Sequence, residues 1–234
     1  MISLRHQMQI YLHAIALLAL VAGVPSVAFA QRVPAKHPVS GRVIAPVMSA
    51  AGADWLERSE RESEENPTKA VAQLGLKPGM TVCDLGAGTG YYAVRMARLV
   101  GAEGKVYAVD IQPRMLELLG KRLAAAGIKN IQPLLGGETE TNLPADSQDL
   151  IILVDVYHEF SKPREMLRSI RKALKDSGRL VLLEFRKEDP NVPIRLEHKM
   201  SLAEVKAELE PEGFRIDKVL DTLPWQHLIF LRKK

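Results

Sequence analysis

Cysteine is nearly absent: Cys83 is the one thiol in 234 residues. A single thiol excludes an intramolecular disulfide framework and every zinc site built on two or more cysteines. Blocks of like charge are also missing. Lys and Arg number 32 against 28 Asp and Glu, a net +4 mixed along the chain, so the basic balance does not by itself imply nucleic acid. There is no internal repeat and no low-complexity tract, which excludes solenoids and fibrous arrays. What is present, 47% hydrophobic and 26% charged residues, is the composition of an ordinary globular domain.

Charge is scarcest at the start. Residues 1–30 hold only Arg5, then the apolar run Ala14 to Val24, Pro25 and the small-residue sequence Ala28-Phe29-Ala30. This reads as a secretory signal cleaved before Gln31, with export, most simply to the periplasm, as the expectation. Two other readings stay open: an uncleaved membrane anchor over residues 10–30, and a start at Met48 that leaves the protein cytoplasmic. The apolar run of 11 residues is short for a span, which takes about 20. Residues 31–48, with Pro34, Pro38 and Pro46 and no apolar periodicity, read as a tether or an arm lying on the domain. The domain itself fills residues 49–234.

A helix is expected from Asp54 to Glu65, supported by the i,i+4 pairs Asp54/Arg58 and Glu57/Arg61 and anchored only by Trp55 and Leu56. It is a solvated face or a lid over a cationic ligand. A second helix opens at Asn66-Pro67 and runs to Leu74 before Gly75. From Met80 onward strands and helices alternate with short turns, the pattern of a parallel sheet covered on both faces. Strands are expected at Met80–Leu85, Val106–Asp110, Ile131–Leu135, Leu150–Val156 and Arg179–Phe185, with helices at Tyr91–Val100, Pro113–Gly127 and Pro163–Leu174. Ser201 and Glu204 form a capping box for a helix to Glu210. Phe214–Leu220 and Trp225–Arg232 are joined by a turn too short for a parallel crossover, so this pair is antiparallel. The count is seven strands.

Asp84-Leu85-Gly86-Ala87-Gly88-Thr89-Gly90 ends a buried strand and opens a helix. Glycines there let the backbone turn tightly and come close to a ligand. A dinucleotide fingerprint needs glycine where Tyr91 stands, and the Gly-Lys-Ser/Thr of a P-loop is absent. Asp110 closes the second strand 20 residues past Gly90, the place from which an acid accepts hydrogen bonds from ribose hydroxyls. A nucleoside ligand without a pyrophosphate fits both facts.

These residues resemble the class I S-adenosylmethionine-dependent methyltransferases, over about 150 residues from Met80 to the end. The glycine loop looks like the first motif of that family, Asp110 like its ribose-binding acid, and Leu143-Pro144 before Asp149-Leu150-Ile151-Ile152 like its fourth-strand signature. Val154-Asp155-Val156-Tyr157-His158-Glu159-Phe160 and Leu223-Pro224-Trp225-Gln226-His227 are similar to a bacterial group of methyltransferase-domain proteins with signal-like N-termini. The resemblance implies a Rossmann-like, doubly wound, seven-stranded and mostly parallel α/β sheet with an antiparallel last strand and helices on both faces. It also implies S-adenosylmethionine as cofactor. Asp84 and the Gly86, Ala87, Gly88 and Gly90 backbone would then face the methionine part, Asp110 the ribose, and Glu138 the adenine edge with Thr139 as the alternative. Ile111 and Asp155 complete the cofactor set.

Methyl transfer from a sulfonium is an in-line displacement, so the enzyme aligns the acceptor, excludes water and removes a proton where the acceptor carries one. Acceptor-side groups come from the carboxyl ends of the strands, which singles out Asp155, Tyr157, His158 and Glu159. His158 is the leading base, with Glu159 as its orienter or the alternative base, against the plainer reading that both only cap a turn. Substrate selection is expected in the loop from Arg186 to Met200. His158, His198 and His227 would bind a metal only if three distant segments converged, so none is expected. Arg164, Arg168, Lys172 and Lys175 read as a solvated stripe, and Cys83 as an inert core thiol. The expected partner is a small methyl acceptor, with no nucleic acid and no membrane contact beyond an uncleaved N-terminus. The rivals are a nicotinamide-dependent oxidoreductase and a non-catalytic ligand-binding protein on the same fold.

Overall fold

The strands come out of the chain as short apolar runs, and their alternation sorts them onto two faces. In the computed structural model, which describes residues 34–234, Ile152 and Val181 pack into one core with the Tyr91–Val100 and Pro113–Ala126 helices. Their neighbours Ile151, Leu153, Leu180 and Leu182 pack into the other, under the Pro163–Ala173 and Leu202–Leu209 helices. Side chains of successive strand residues point to opposite faces, so a strand buried on both sides must be apolar at nearly every position. Each such side chain, fully buried, contributes about 1.5–3 kcal/mol.

The strands are β1 Thr81–Leu85, β2 Lys105–Asp110, β3 Ile131–Leu135, β4 Gln148–Val154, β5 Leu174–Arg186, β6 Lys199–Met200, β7 Phe214–Leu220 and β8 Gln226–Lys233. They lie in the order β3-β2-β1-β4-β5-β8-β7, with β6 added beside β5. All pairs are parallel except β5 with β8 and β7 with β8, so the expected sheet with its antiparallel last strand is present. The order reverses between β1 and β4, and a crevice opens at the carboxyl ends of strands at such a switch point. That crevice is where the site lies.

The structure corrects several boundaries. There are eight strands among the described residues, not seven, because Lys199–Met200 pairs with Phe185–Arg186 inside the stretch read as loop. Strand β4 stops at Val154 rather than Val156, because Asp155 turns left-handed at φ +53°. Strand β5 starts early at Leu174, and Gly178 permits its irregular start: a Cβ there would stand 2.8 Å from the Gln148 carbonyl oxygen. The expected Asp54–Glu65 helix is two pieces, a 3-10 helix Ala50–Glu57 and one α-turn Arg61–Glu64. Its expected pairs do not form; Arg58 bonds Glu64 and Glu65, Arg61 bonds Glu65, and Glu57 bonds Arg122. The Ser201–Glu204 capping box forms as read.

Residues 34–48 lie on the domain. Lys36 bridges Val43, Arg42 is buried against Glu208 at 2.9 Å, and the Ala45 N–H donates to the His158 carbonyl. The signal or anchor over residues 1–30, and residues 31–33 of the arm, lie outside the described residues. No helix among the described residues is long and apolar enough to cross a membrane.

Candidate active site

The glycine loop is shaped by backbone conformations that need glycine. Gly86, Gly88 and Gly90 have φ of +80°, +54° and +83°, a region costly for residues with a Cβ. A Cβ on Gly86 would stand 2.4 Å from Val156 Cγ2, and one on Gly90 would stand 2.3 Å from Leu119 Cδ1. Gly90 thus serves the packing of two helices, while Gly86 and Gly88 line the crevice. The loop is tied to β2 through Asp110, whose carboxylate accepts from the Gly88 N–H and the Gln112 N–H, each at 2.8 Å. Each oxygen keeps a second lone pair for a ligand. Gln112, which sequence reasoning passed over, also holds the entering chain by accepting from the Ala50 N–H and donating to the Met48 carbonyl.

Asp84 sits behind this wall. Its carboxylate accepts from the Ala93 N–H at 2.9 Å, so it caps the Tyr91–Val100 helix. Burial pushes its carboxyl up to about 7 against that bond and Arg61, with Asp110 adding to the rise.

A cavity of about 640 Å³ runs along the carboxyl edge of the sheet. Of the residues expected to bind cofactor, Gly86, Gly88, Asp110, Ile111, Glu138 and Asp155 line it, whereas Asp84, Ala87 and Gly90 do not. Glu138 is exposed, and its carboxylate accepts from Ser161 Oγ at 3.0 Å. Asp155 accepts from Gln226 Nε2 through one oxygen, while its buried Oδ1 has no partner. Burial pushes the Asp155 carboxyl well above the usual range, with Glu65 and Glu184 adding to the effect, and burial also raises Asp110. Desolvated carboxyl groups and an unpartnered acceptor fit a ligand that brings hydroxyl donors and positive charge. S-adenosylmethionine, with ribose hydroxyls, an ammonium and a sulfonium, has that chemistry.

The far end of the cavity is made of side chains from separate segments. His158 lies on the 3-10 turn Tyr157–Glu159 after β4. Its Nδ1 is 2.6 Å from Glu184 Oε2, both residues being buried. The other Glu184 oxygen accepts from the Tyr157 N–H at 3.0 Å. Glu184, not Glu159, is therefore the orienter of His158, because its place near the carboxyl end of β5 brings it to the turn. An acid amid the apolar run Leu180–Phe185 was the sequence signal that a buried partner exists.

His198, 40 residues along the chain, brings its Nδ1 to 3.2 Å from His158 Nε2. Glu159 lines the cavity beside them; burial pushes its carboxyl up to about 7, His158 opposing and Glu184 adding. The expectation of no metal rested on the histidine segments staying apart. Two of them meet, with His158, Glu159 and His198 placing ligand atoms within 4.8 Å of one another. His227 is elsewhere, bonded to Asp221 and Glu188.

Sequence reasoning also missed Arg61, which is buried, pairs with Glu65 at 2.7 Å and stands over the Tyr91 ring. The basic stripe lies along the Pro163–Ala173 helix and just past its end. Arg164 and Arg168 pair with Glu212 there, and Lys175 pairs with Asp149. Cys83 is fully buried, and burial pushes its thiol well up.

Residues 76–224 match the model of a family described as a methyltransferase domain. Ubiquinone/menaquinone biosynthesis C-methyltransferases are 34% identical over 118 residues in Marinomonas sp. and 35% over 114 residues in Vibrio vulnificus. These matches take in 50% and 48% of this chain, and the chain spans about half the length of the curated relatives, 47% and 44%. A SAM-dependent methyltransferase of known structure from Aquifex aeolicus superposes with a TM-score of 0.74 at 29% identity, over 79% of this chain and 98% of that one. Mitomycin 7-O-methyltransferase, at 20% identity and a TM-score of 0.59 over 72% of this chain and 54% of that one, shares the fold alone. With a glycine loop tied to Asp110 at the switch point and a family match over most of the domain, the chain belongs to the class I S-adenosylmethionine-dependent methyltransferases.

Proposed function

We propose that the chain transfers a methyl group from S-adenosylmethionine to a small-molecule acceptor held in the same cavity. The observation that carries this is continuity: one cavity of about 640 Å³ reaches from Gly88 and Asp110 to His158 and Glu159. Its volume lies within the range of small-molecule sites. Bound there, the cofactor supplies a methyl group on a positively charged sulfur.

The chain's own residues divide the remaining work. Asp110, fixed by the Gly88 and Gln112 amides, holds ribose hydroxyls. Gly86 and Gly88 leave room for the methionine part, Asp155 offers its free Oδ1, and Glu138 faces the adenine edge. Met48, Trp55 and Leu56 cover the cavity and exclude water, which strengthens every polar contact inside. His158 takes the acceptor proton at Nε2, because Glu184 holds Nδ1–H and stabilises the imidazolium that forms. Glu159 stands beside it as the second proton carrier.

Phe160, Phe185 and Ile194 in the wall suit an acceptor with an apolar, ring-like body and a polar group at the His158 end. The quinone-pathway enzymes among the relatives are consistent with that class. Nucleic acid is not part of the proposal, since Arg164, Arg168 and Lys175 of the basic stripe are paired with acids. Export through residues 1–30 is part of it, and mass spectrometry of the mature N-terminus from fractionated cells tests that, a start at Gln31 outside the cytosol being expected. Calorimetric titration with S-adenosylmethionine tests the rest. One molecule per chain is expected, and no binding to the folded protein overturns the reading.

A further inference from the structure

The acceptor end of the cavity holds a donor set that proton transfer alone does not require. His158, Glu159 and His198 bring one ligand atom each within 4.8 Å of one another. His158 Nε2 and His198 Nδ1 are 3.2 Å apart, on rings set at 84°. Two imidazole nitrogens on one tetrahedral Zn²⁺, each at ~2.0–2.1 Å, stand about 3.3 Å apart. The two rings already hold the separation that a shared cation imposes. Without the cation the same spacing is an N–H···N hydrogen bond. His158 donates from Nδ1 to Glu184 and so accepts at Nε2, which makes His198 Nδ1 the donor.

A second, independent feature lies behind the first ligand. The buried Glu184 carboxylate receives His158 Nδ1–H at 2.6 Å and is itself fixed by the Tyr157 N–H. Metal-bound histidines are backed in this way: the carboxylate sets the tautomer, turns the free nitrogen to the metal and raises its basicity. The charges agree. Glu159 lines the cavity beside the two imidazoles and Glu184 backs His158, so two carboxyl groups stand at this end. The Arg195 guanidinium touches the outer nitrogen of His198, and its side chain is 70% exposed, so it is free to move away, while buried Arg42 donates to the His158 carbonyl.

We infer that His158 Nε2, His198 Nδ1 and Glu159 bind one Zn²⁺, with a fourth position open to the cavity. Two histidines and one glutamate with an open position is a ligand set of catalytic rather than structural zinc. On binding, the ring-to-ring hydrogen bond is replaced by two N–Zn bonds, His198 carries its proton on Nε2, and any proton on Glu159 leaves to solvent. The open position selects an acceptor bearing a hydroxyl or thiol, whose oxygen or sulfur becomes the fourth ligand. The metal site rests on the reading of this end as the acceptor end. In the zinc-loaded form His158 and Glu159 are ligands and no longer take the acceptor proton: the metal acidifies the bound hydroxyl or thiol, whose proton leaves to solvent, and coordination holds the acceptor's polar atom.

The test uses the full chain without a histidine tag, stripped with chelator and titrated with ZnCl₂ alone. One Zn²⁺ per chain at micromolar affinity or tighter is expected, and Co²⁺ in its place should give the intense visible bands of a four-coordinate ion. His198→Ala and Glu159→Gln each remove a ligand and should weaken Zn²⁺ binding by more than the ~10–100-fold typical of outer-shell changes. Glu184→Gln, which alters only the positioning residue, should fall within that ~10–100-fold range. Titration of the same samples with S-adenosylmethionine reports on the Asp110 end, and the ligand variants should bind it like the parent. No stoichiometric Zn²⁺ site, or one undiminished in both ligand variants, overturns the inference and leaves the cofactor reading standing. Zn²⁺ bound by a chain that never takes S-adenosylmethionine would overturn the methyltransferase reading and with it the acceptor assignment on which the metal site rests.

Discussion

From Asp84 to Asp110 the chain makes one strand, one loop and helix, and a second strand, and it returns with the two halves of the proposed cofactor end in contact through Gly88 N–H and Asp110. The proposed acceptor end has no such contiguity. His158 follows β4, Glu184 lies on β5, His198 precedes β6, and Arg42 reaches the His158 carbonyl from 116 residues away. The first end is made of backbone, and its requirements are local: positive φ, absent Cβ atoms and amides aimed at one carboxylate. The second is made of buried side chains whose charges are satisfied only when distant segments meet. A site of the first kind fails when its conformation is blocked, and one of the second kind fails when a single long-range pair is cut.

That contrast breaks most visibly at Arg42. Its guanidinium and Glu208 are both buried, with side chains 3% and 0% exposed, and removing one partner of such a pair costs about 3–5 kcal/mol. Arg42→Ala is expected to abolish amide-exchange protection over residues 35–45 and to lower stability in urea. Unchanged protection would mean that the arm is held by its other contacts.

On the cofactor side the largest effect belongs to Asp110→Ala. It takes both carboxylate oxygens from the ligand and unpairs the Gly88 amide. S-adenosylmethionine affinity should fall about a hundredfold, or ~2.7 kcal/mol, as read by calorimetry. Gly86→Ala comes next, because its Cβ meets Val156 at 2.4 Å in a left-handed conformation. A loss of about 2 kcal/mol in urea unfolding is expected, and a loss near zero would show that Val156 gives way.

The last test is a pH slope. Asp84 is raised from 3.8 to about 7 by burial, with the Ala93 amide and Arg61 opposing the rise and Asp110 adding to it. Below pH 3.8 the group is neutral in both folded and unfolded chains. As pH climbs toward 7 the unfolded chain releases the proton that the folded one retains, so stability falls across that window and levels off above it. Asp84→Asn lacks this titration. Its melting temperature, compared with the parent's, should gain more at pH 8 than at pH 5, and an equal offset at both would place the pH dependence elsewhere.

How far the sequence could be read follows the same division. The Asp84–Gly90 loop, Asp110, the parallel rhythm and the Ser201–Glu204 cap were legible because each depends on residues a few positions apart. The Asp54–Glu65 segment was misjudged because i,i+4 pairs contribute only about 0.2–0.5 kcal/mol. Arg58 and Arg61 took Glu64 and Glu65 instead, and Glu57 took Arg122. Glu184 was visible as an acid in an apolar strand, but its partner was not, since nothing local ties residue 184 to residue 158.

The order of apolar runs, turns and glycines along the chain was enough to specify a doubly wound parallel sheet and the glycine loop at its switch point, because periodicity and backbone freedom are properties of neighbouring residues. Tertiary structure alone decided that Asp84 caps a helix instead of lining the cavity, that Glu184 rather than Glu159 orients His158, and that His198 joins them while His227 does not. Those outcomes depend on which buried charges and ring nitrogens arrive within hydrogen-bond reach, and that distance is set by the packing of strands far apart in sequence.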